Sequence, residues 1–424
     1  MSTTHEQVLA LDAADPLAGF RERFVIGTGP GDPVAYLDGN SLGRLPKATA
    51  ERLRHVVEQQ WGSRLIRGWT ETWVPLPEQV GDLVGQTVLG AAPGQVVVAD
   101  STTVNIAKVL HAAAGLRSDR QVLVAARADF PTDRYLVEAV ARQRGMSVRW
   151  VEASAGTAAD APADPPVDTA LAAVLDRDVA AVLLSHVDYR TARIADMPGL
   201  TGRIQDVGAL AVWDLSHSAG SVPVALDAHG VDLAVGCTYK YLNGGPGAPA
   251  FLYVADRHHA ELEQPLPGWF GAADVFSMAA DYVPAPGIRR MLSGTPSVLG
   301  LFAVEEGVRL VAEAGMDAIR RKGIALTRLL IGLVDEQLAA HGVEVASPRD
   351  PDQRGAHVVL RHHQARRLND ELTESGVIGD FRNPDLWRLG LSPLTTSYAE
   401  VWHAVQAARD WFERDHEHAR EVAS

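Results

Sequence analysis

The sequence predicts an α/β protein with a mostly parallel central sheet in a large domain, followed by a smaller C-terminal α+β domain. Between residues 94 and 254, seven short apolar segments alternate with helical patterns: GQVVVAD, RQVLVAA, MSVRWVE, VAAVLLSHV, GALAVWD, VDLAVGC and PAFLYV. Their hydrophobicity is continuous, which is typical of strands covered on both faces and therefore of a parallel sheet between helical layers. From about residue 296 the pattern becomes helical, and short strands follow near 343–347, 356–361 and 386–391.

These changes of pattern divide the chain into three parts. We predict an N-terminal segment over residues 1–60, a large domain over 61–295 and a small domain over 296–424. The last helix is expected to begin at SYAE, because Ser397 and Glu400 have the spacing of a capping box. Residues 151–170 are rich in alanine, proline and aspartate without apolar periodicity, which indicates a surface loop.

Composition excludes several classes of protein. A chain of 424 residues with 46% hydrophobic and 22% charged residues is typical of a soluble globular protein of two or three domains. A net charge of −14 argues against binding to nucleic acid or to anionic lipid, which requires a basic face. No stretch approaches the roughly 18 apolar residues of a membrane span, and the N-terminus lacks a signal-peptide pattern. We therefore expect a cytoplasmic protein without nucleic-acid or membrane partners.

Cysteine and histidine usage argues against a metal centre. Cys237 is the single cysteine, so internal disulfides are excluded, in agreement with a reducing compartment. It falls in the apolar segment VDLAVGC and is predicted to be a small core residue. The histidine pairs in DRHHAE and LRHHQARR stand among charges, which favours a solvated face over metal ligation.

Polar residues stand where two neighbouring strands are predicted to end. The segment GALAVWD ends on Asp214, with His217 shortly after it, and VDLAVGC leads into Tyr239 and Lys240. Parallel strands end at the same edge of a sheet, where ligands collect, so we expect these side chains to share one cleft. Burial penalises the charge of a lysine, which makes Lys240 either a surface residue with an extended side chain or a reactive amine.

Two other segments add to this cleft. In DSTTVNIAKVL a helix begins after a strand, and the free amides of such a helix bind phosphate, with Thr102 and Thr103 as hydroxyl donors or as simple helix caps. The segment RADFPTD brings the Phe130 ring and a carboxylate, Asp133, to the same edge. Pyridoxal phosphate needs an amine, an anion near its ring nitrogen, a stacking ring and a phosphate site. Lys240, Asp214, Phe130 and the helix near Thr102 supply them.

Eight segments, in family order over about residues 36–300, resemble the kynureninase family of pyridoxal-phosphate enzymes. They are YLDGNSLGRLP, WGSRLIRGW, DSTTVNIAKVL, FPTD, WDLSHSAG, YKYLNGGPG, GWFG and SGTPSVLG, with a weaker match at LWRLGLSPL. The resemblance implies the aspartate-aminotransferase-like fold, fold type I. It also implies a cofactor site that uses the following residues: Thr102, Thr103, Phe130, Asp133, Ser185, Asp214, His217, Tyr239 and Lys240.

The resemblance further implies an active site shared between two subunits. Trp269 and Thr295 would reach the cofactor phosphate of the partner subunit, which predicts a homodimer. Arg388 would hold the substrate α-carboxylate, with Arg289 and Arg290 as rivals. Asn40 and Ser41 would lie near the substrate entrance.

The implied activity is hydrolysis of the Cβ–Cγ bond of kynurenine or a ring-substituted kynurenine, which yields L-alanine and an anthranilate-type acid. Lys240, Tyr239 and Asp214 would be the catalytic residues. Thr70, Ala272 and Thr395 depart from the family pattern in segments expected to border the substrate ring, which leaves a different γ-keto or β-substituted amino acid open. An aminotransferase, or a cofactor-binding protein without turnover, also remains open. A cysteine desulfurase would need a loop cysteine, which Cys237 is not.

Overall fold

The computed structural model describes residues 3–152 and 167–423. Eleven α-helices lie within these residues: α1 His5–Ala13, α2 Lys47–His55, α3 Leu76–Val84, α4 Thr102–Leu116, α5 Pro131–Arg144, α6 Val167–Ala172, α7 Met197–Asp206, α8 Val298–Ala314, α9 Met316–Gln337, α10 Ala365–Glu374 and α11 Tyr398–Ala423. The same residues contain thirteen strands: β1 Ala35–Tyr36, β2 Val96–Val98, β3 Val122–Ala126, β4 Ser147–Val151, β5 Val179–Ser185, β6 Leu210–Asp214, β7 Leu233–Gly236, β8 Phe251–Val254, β9 Glu344–Val345, β10 His357–Arg361, β11 Val377–Ile378, β12 Asp380–Arg382 and β13 Leu386–Gly390.

Each of the seven apolar segments forms a strand of one seven-stranded sheet. The strand order is β2-β8-β7-β6-β5-β3-β4. Neighbours from β7 to β4 pair in parallel, whereas β8 runs antiparallel to both β7 and β2. The predicted α/β class with a mostly parallel central sheet is therefore confirmed.

Both faces of this sheet are buried, which explains the continuous apolar runs. In β6, Leu210 and Val212 enter the core on one face, while Ala211 and Trp213 enter the core on the other. Successive side chains of a strand point to opposite faces, so an apolar residue is needed at every position. Burial of this kind stabilises the fold by about 25 cal/mol per Å² of apolar surface.

The parallel strands direct the chain to one edge of the sheet. Ser185 at the end of β5 pairs with Asp214 at the end of β6, and Asp214 pairs in turn with Val235 of β7. The helices α4 and α5 also begin after strands that end at this edge. Polar side chains that follow the strands therefore meet there, as the sequence predicts.

A second, antiparallel sheet has the order β12-β13-β10-β9 and includes the three short strands predicted in the C-terminal region. Its core also contains residues of α1, α9, α10 and α11. The N-terminal segment joins this region, because β1 pairs with β11. The predicted capping box of α11 is confirmed: Ser397 N donates to Glu400 Oε2 at 2.9 Å and Glu400 N to Ser397 Oγ at 3.1 Å. The division into domains at residues 60 and 295 stays a prediction.

The fold corrects one expectation about the surface. His258, His259 and His362 are not solvated but largely buried: His258 Nε2 lies 2.7 Å from Asp232 Oδ1, and the His362 ring packs edge-on against Phe412. Their charged sequence neighbours point outwards while the imidazoles turn inwards, a distinction that residue type alone does not reveal.

Four other features of the chain can be compared with expectation. Cys237 is buried, as predicted. Most of the loop predicted over 151–170 lies outside the described residues. None of the helices in the described part of the chain is long and apolar enough to cross a membrane, and no cluster of three or more potential metal ligands occurs there.

Candidate active site

A cleft of about 520 Å³ opens at the carboxyl edge of the seven-stranded sheet. All nine residues predicted for the cofactor site of one subunit line it: Thr102, Thr103, Phe130, Asp133, Ser185, Asp214, His217, Tyr239 and Lys240. Four further lining residues were missed by the sequence analysis: Ile106, Thr132, Tyr189 and Ser216. Tyr189 follows β5 at the same edge. The rule that polar residues after parallel strands collect at this edge could therefore have predicted Tyr189 as well as Asp214.

Lys240 enters this cleft on a tightly hydrogen-bonded loop after β7. Gly244 N donates to Thr238 O at 2.9 Å, Asn243 N donates to Lys240 O at 3.0 Å, and Asn243 adopts a positive φ of 55°. The Lys240 Nζ atom lies 3.1 Å from His217 Nε2. The loop thus fixes the backbone of the lysine while its amine faces the cleft.

The other three lysines of the chain do not face this cleft. The sequence contains four, at positions 47, 108, 240 and 322. Lys108 pairs with Asp100 at 2.7 Å and Lys322 with Asp15 at 2.6 Å, and both side chains are buried. Lys47 is exposed at the start of α2. Lys240 is therefore the one lysine that faces a cleft without an ion pair to a carboxylate.

Asp214 presents one free carboxylate oxygen to the cleft. Its Oδ1 accepts hydrogen bonds from Ser216 N at 2.8 Å and from Ser216 Oγ at 2.6 Å. No described residue donates to Oδ2, which remains able to accept a proton or a hydrogen bond from a ligand. Burial raises the pKa of Asp214, while the Ser216 hydroxyl and the charge of Lys240 act in the opposite direction.

Other buried acids lie close to Asp214. Asp129 and Asp133 each have an Oδ2 atom without a hydrogen-bond partner. Burial, together with the neighbouring charges of Asp188 and Asp214, raises the pKa of Asp129 to about 7, although a hydrogen bond from Ser185 acts in the opposite direction. Burial also raises the pKa of Asp133 well above its usual range, and the Asp214 charge adds to this effect. These acids favour their neutral forms, which limits the negative charge around Asp214.

His217 is a neutral imidazole in this environment. Burial lowers its pKa well below the usual range, and the charges of Lys240 and Arg388 lower it further. A neutral ring can accept a hydrogen bond from Lys240 through Nε2. Its ring centroid lies 5.6 Å from that of His357, a fully buried residue of β10 that the sequence analysis missed because it is distant along the chain.

The opposite side of the cleft offers amides and an aromatic ring. Ser101 caps α4 by accepting a hydrogen bond from Val104 N at 3.3 Å, so Thr102 and Thr103 form the first turn at the positive end of the helix dipole. Phe130 is 40% exposed, and its ring lies nearly perpendicular to that of Tyr189, with the two centroids 5.3 Å apart. A planar ligand would find a stacking surface here, next to an anion site.

The structure also brings together the three predicted substrate-binding residues. Arg388 Nη1 donates to Tyr189 O at 2.8 Å, and Nη2 donates to Ser41 Oγ at 3.1 Å. The Asn40 amide, oriented to satisfy its neighbours, places its oxygen 2.9 Å from Arg388 Nε. Asp380 also contacts Nη2.

The rival arginines are engaged away from this cluster. Arg289 pairs with Glu78, and Arg290 donates to backbone carbonyls, with its Nε bound to Ala285 O at 3.1 Å. The role of Arg388 as the carboxylate-binding arginine stays a prediction.

The residues expected to act in a partner subunit lie away from the cleft of their own chain. Trp269 packs against Phe270 at a centroid distance of 4.9 Å and against Trp69 at 6.3 Å. Thr295 lines a separate cavity of about 660 Å³, next to Ser101.

None of the three departures from the family pattern lines the cleft of this chain. Thr70 is exposed, Ala272 forms a bridge with Pro284, and Thr395 is buried with its carbonyl bound by Arg21. Their expected contact with the substrate ring stays a prediction.

Solved structures share the fold at low sequence identity. The apo structure of a cysteine desulfurase from Thermococcus onnurineus NA1 superposes with a TM-score of 0.75 at 18% identity and covers 97% of this chain and 99% of that chain. A variant of the protein C-DES with glycine covalently linked to its PLP cofactor gives a TM-score of 0.76 at 18% identity, covering 92% and 98%. The chain therefore has the α/β fold of fold type I.

Sequence relatives identify the family within this class. A kynureninase of Pseudomonas fluorescens is 42% identical over 419 residues, which cover 97% of this chain and 96% of that protein. A kynureninase of Burkholderia pseudomallei strain 1106a is 41% identical over 430 residues, covering 99% and 98%. The family model of the kynureninase C-terminal domain matches residues 319–408. The chain belongs to the kynureninase family.

Proposed function

We propose that this enzyme uses pyridoxal phosphate to hydrolyse the Cβ–Cγ bond of kynurenine or of a ring-substituted kynurenine such as 3-hydroxykynurenine. The products are L-alanine and an anthranilate-type acid. The observation that carries the proposal is the convergence of the Lys240 amine and the free Asp214 oxygen on one cleft, in a chain related to kynureninases over nearly its whole length.

The residues of the cleft fit the cofactor. Lys240 offers an amine without a carboxylate partner, and the Asp214 Oδ2 atom has no donor among the described residues, so it can accept a hydrogen bond from a protonated pyridine nitrogen. Thr102 and Thr103 offer amides and hydroxyls to the phosphate, and Phe130 offers its face to the ring. When bound, pyridoxal phosphate supplies an electron-accepting ring that stabilises negative charge developing on the substrate.

Lys240, His217 and Tyr239 handle protons in this proposal. Lys240 takes the proton from the substrate Cα atom, while neutral His217 orients the amine through the contact of 3.1 Å. Tyr239 lines the same cleft, and burial raises the pKa of its phenol. The phenol therefore keeps its proton at neutral pH and can donate it after the bond is cleaved.

Arg388 binds the α-carboxylate in this proposal. Its guanidinium is buried, and Asn40, Ser41 and the Tyr189 carbonyl hold it in place. A carboxylate that meets a fixed planar fork is held in one orientation, which presents the rest of the substrate to the cleft. The aromatic end of the substrate then extends from the cluster formed by Asn40, Ser41 and Arg388.

We also propose that the active unit is a cytoplasmic homodimer with shared active sites, in which Trp269 and Thr295 contact the cofactor phosphate of the partner subunit. Thr295 is exposed and lines a cavity separate from its own cleft. Large exposed hydrophobic side chains support an interface in the same regions: Trp61, Leu65, Ile66, Phe276, Met278 and Val283. Large apolar side chains left exposed in this way are typical of subunit contacts.

The test is product analysis with the purified enzyme loaded with pyridoxal phosphate. Kynurenine and 3-hydroxykynurenine are supplied separately, and alanine and the aromatic acid are quantified by chromatography. Equal amounts of both products, without any added keto acid, are expected, and a Lys240→Ala variant serves as the inactive control. Amino transfer that depends on a keto acid and releases no alanine would contradict the proposal and favour an aminotransferase.

A further inference from the structure

The guanidinium of Arg388 makes four polar contacts within the protein before any substrate binds. Its guanidinium donates to Tyr189 O, Ser41 Oγ and Asp380 Oδ2, and the Asn40 amide oxygen faces Nε. The side chain is only 2% exposed.

These contacts leave too few donors for a carboxylate. A guanidinium has five N–H groups, and a carboxylate held as a fork uses two of them. The four contacts to protein groups leave a single N–H, on Nη1. One of the present partners must therefore give way when Arg388 binds a substrate carboxylate in this manner.

Asp380 is the partner that can leave. Among the described residues it is the one anion that contacts the guanidinium. A second carboxylate beside it would add electrostatic repulsion unless Asp380 moved away. A second arginine already contacts Asp380, because Arg382 Nη2 lies 2.6 Å from the same carboxylate oxygen. The Arg382 Nε atom is buried without a partner, so it can donate a further hydrogen bond.

The backbone positions of these residues suit such an exchange. Asp380 and Arg388 lie directly opposite each other on β12 and β13. Asp380 and Arg382 are two positions apart on β12, so their side chains project from the same face of the sheet. The carboxylate therefore stands between two arginines, and a small rotation of its side chain transfers it from one to the other.

We propose that Asp380 occupies the place of the substrate α-carboxylate on Arg388 and passes to Arg382 alone when an amino acid binds. The inference rests on the proposed function, because it takes Arg388 as the carboxylate site. Asp380 and Arg382 are positioning residues that set the affinity for the substrate, and neither is assigned contact with the reacting atoms.

The experiment compares Asp380→Asn and Arg382→Gln with wild-type holoenzyme. The dissociation constant of L-alanine, measured by calorimetry, is expected to fall about 3- to 10-fold in D380N because the competing anion is removed, and to rise about 3- to 10-fold in R382Q because Asp380 has lost its alternative partner. KM for kynurenine should move in the same directions, with kcat changed by less than about 3-fold.

The control is Asp385→Asn. This carboxylate lies in the same sheet region but pairs with Arg361 at 3.4 Å, so alanine binding should not change. The visible absorbance of bound cofactor and the midpoint temperature of unfolding establish that each variant is folded and loaded.

Weaker alanine binding in D380N would overturn the proposal, since it would mean that Asp380 merely orients Arg388. Unchanged binding in R382Q would overturn it independently, even if D380N fails to fold. Arg388→Lys separates this from the proposed function: if alanine binds R388K as well as it binds wild type, Arg388 is not the carboxylate site, and the proposed substrate position fails together with the exchange.

Discussion

The Lys240 Nζ atom lies 3.1 Å from His217 Nε2, and this is the one hydrogen bond that the amine makes within the described residues. A buried lysine normally has a carboxylate partner, as Lys108 and Lys322 do in this chain. Lys240 is half-buried and contacts a neutral imidazole instead of a carboxylate. That environment suits a lysine that forms a bond with a cofactor.

Asp214→Asn tests the role of the free carboxylate oxygen. The neutral amide lacks the charge that stabilises a protonated pyridine nitrogen, so kcat is expected to fall by about 10²- to 10³-fold, the range for removal of one electrostatic stabilising group. Steady-state kinetics with kynurenine measure the change. Ser216→Ala is the matched variant: it removes one hydrogen bond to Oδ1 but keeps the carboxylate, so its loss should be much smaller. Equal losses in both variants would refute a special role for the Asp214 charge.

Asp129→Asn tests the buried acid behind the cleft. Folding raises the pKa of Asp129 from 3.8 to about 7. Its contribution to stability is therefore complete below pH 3.8 and is lost as the pH rises towards 7. Between pH 3.8 and 7, wild type should therefore lose stability relative to D129N. The difference in their free energies of unfolding should change by at most about 4 kcal/mol and stay constant above pH 7.

Denaturant unfolding of both proteins at a series of pH values measures this difference. Asp274→Asn, at an exposed position, should show no such dependence. A constant difference between D129N and wild type from pH 4 to 8 would show that Asp129 ionises normally despite its burial.

Mixing two inactive variants tests the shared active site. Lys240→Ala removes the amine, and Thr295→Glu places a negative charge where the phosphate of the partner subunit would bind. After subunit exchange, half of the dimers are mixed, and each mixed dimer regains one intact site, so about a quarter of wild-type activity should return. If Thr295 served the cleft of its own subunit, no mixed dimer would contain an intact site and the mixture would stay inactive.

The central sheet and the cofactor side of the cleft were predictable from sequence because their signals are local. Strands buried on both faces must be apolar at every position, and polar residues that follow such strands must meet at one edge. Asp214 and Lys240 follow from these two rules without any knowledge of distant contacts.

The substrate side of the cleft was harder to predict from the sequence, because its contacts join distant parts of the chain. Ser41 and Asp380 are separated by 339 positions and meet through the Ser41 hydroxyl at 3.2 Å. The resemblance supplied Arg388, Asn40 and Ser41, but neither Asp380 nor His357. The burial of His258 was also missed, since a charged sequence neighbourhood does not determine the direction of a side chain.

Reductive trapping of the cofactor tests the central claim, that Lys240 binds pyridoxal phosphate, most directly. The holoenzyme is reduced with borohydride, digested and mapped by mass spectrometry, and the four lysines of the chain make the assignment unambiguous. Our account predicts the pyridoxyl adduct on Lys240 alone. An adduct on Lys47, Lys108 or Lys322, or none on a protein that retains full activity, would contradict it.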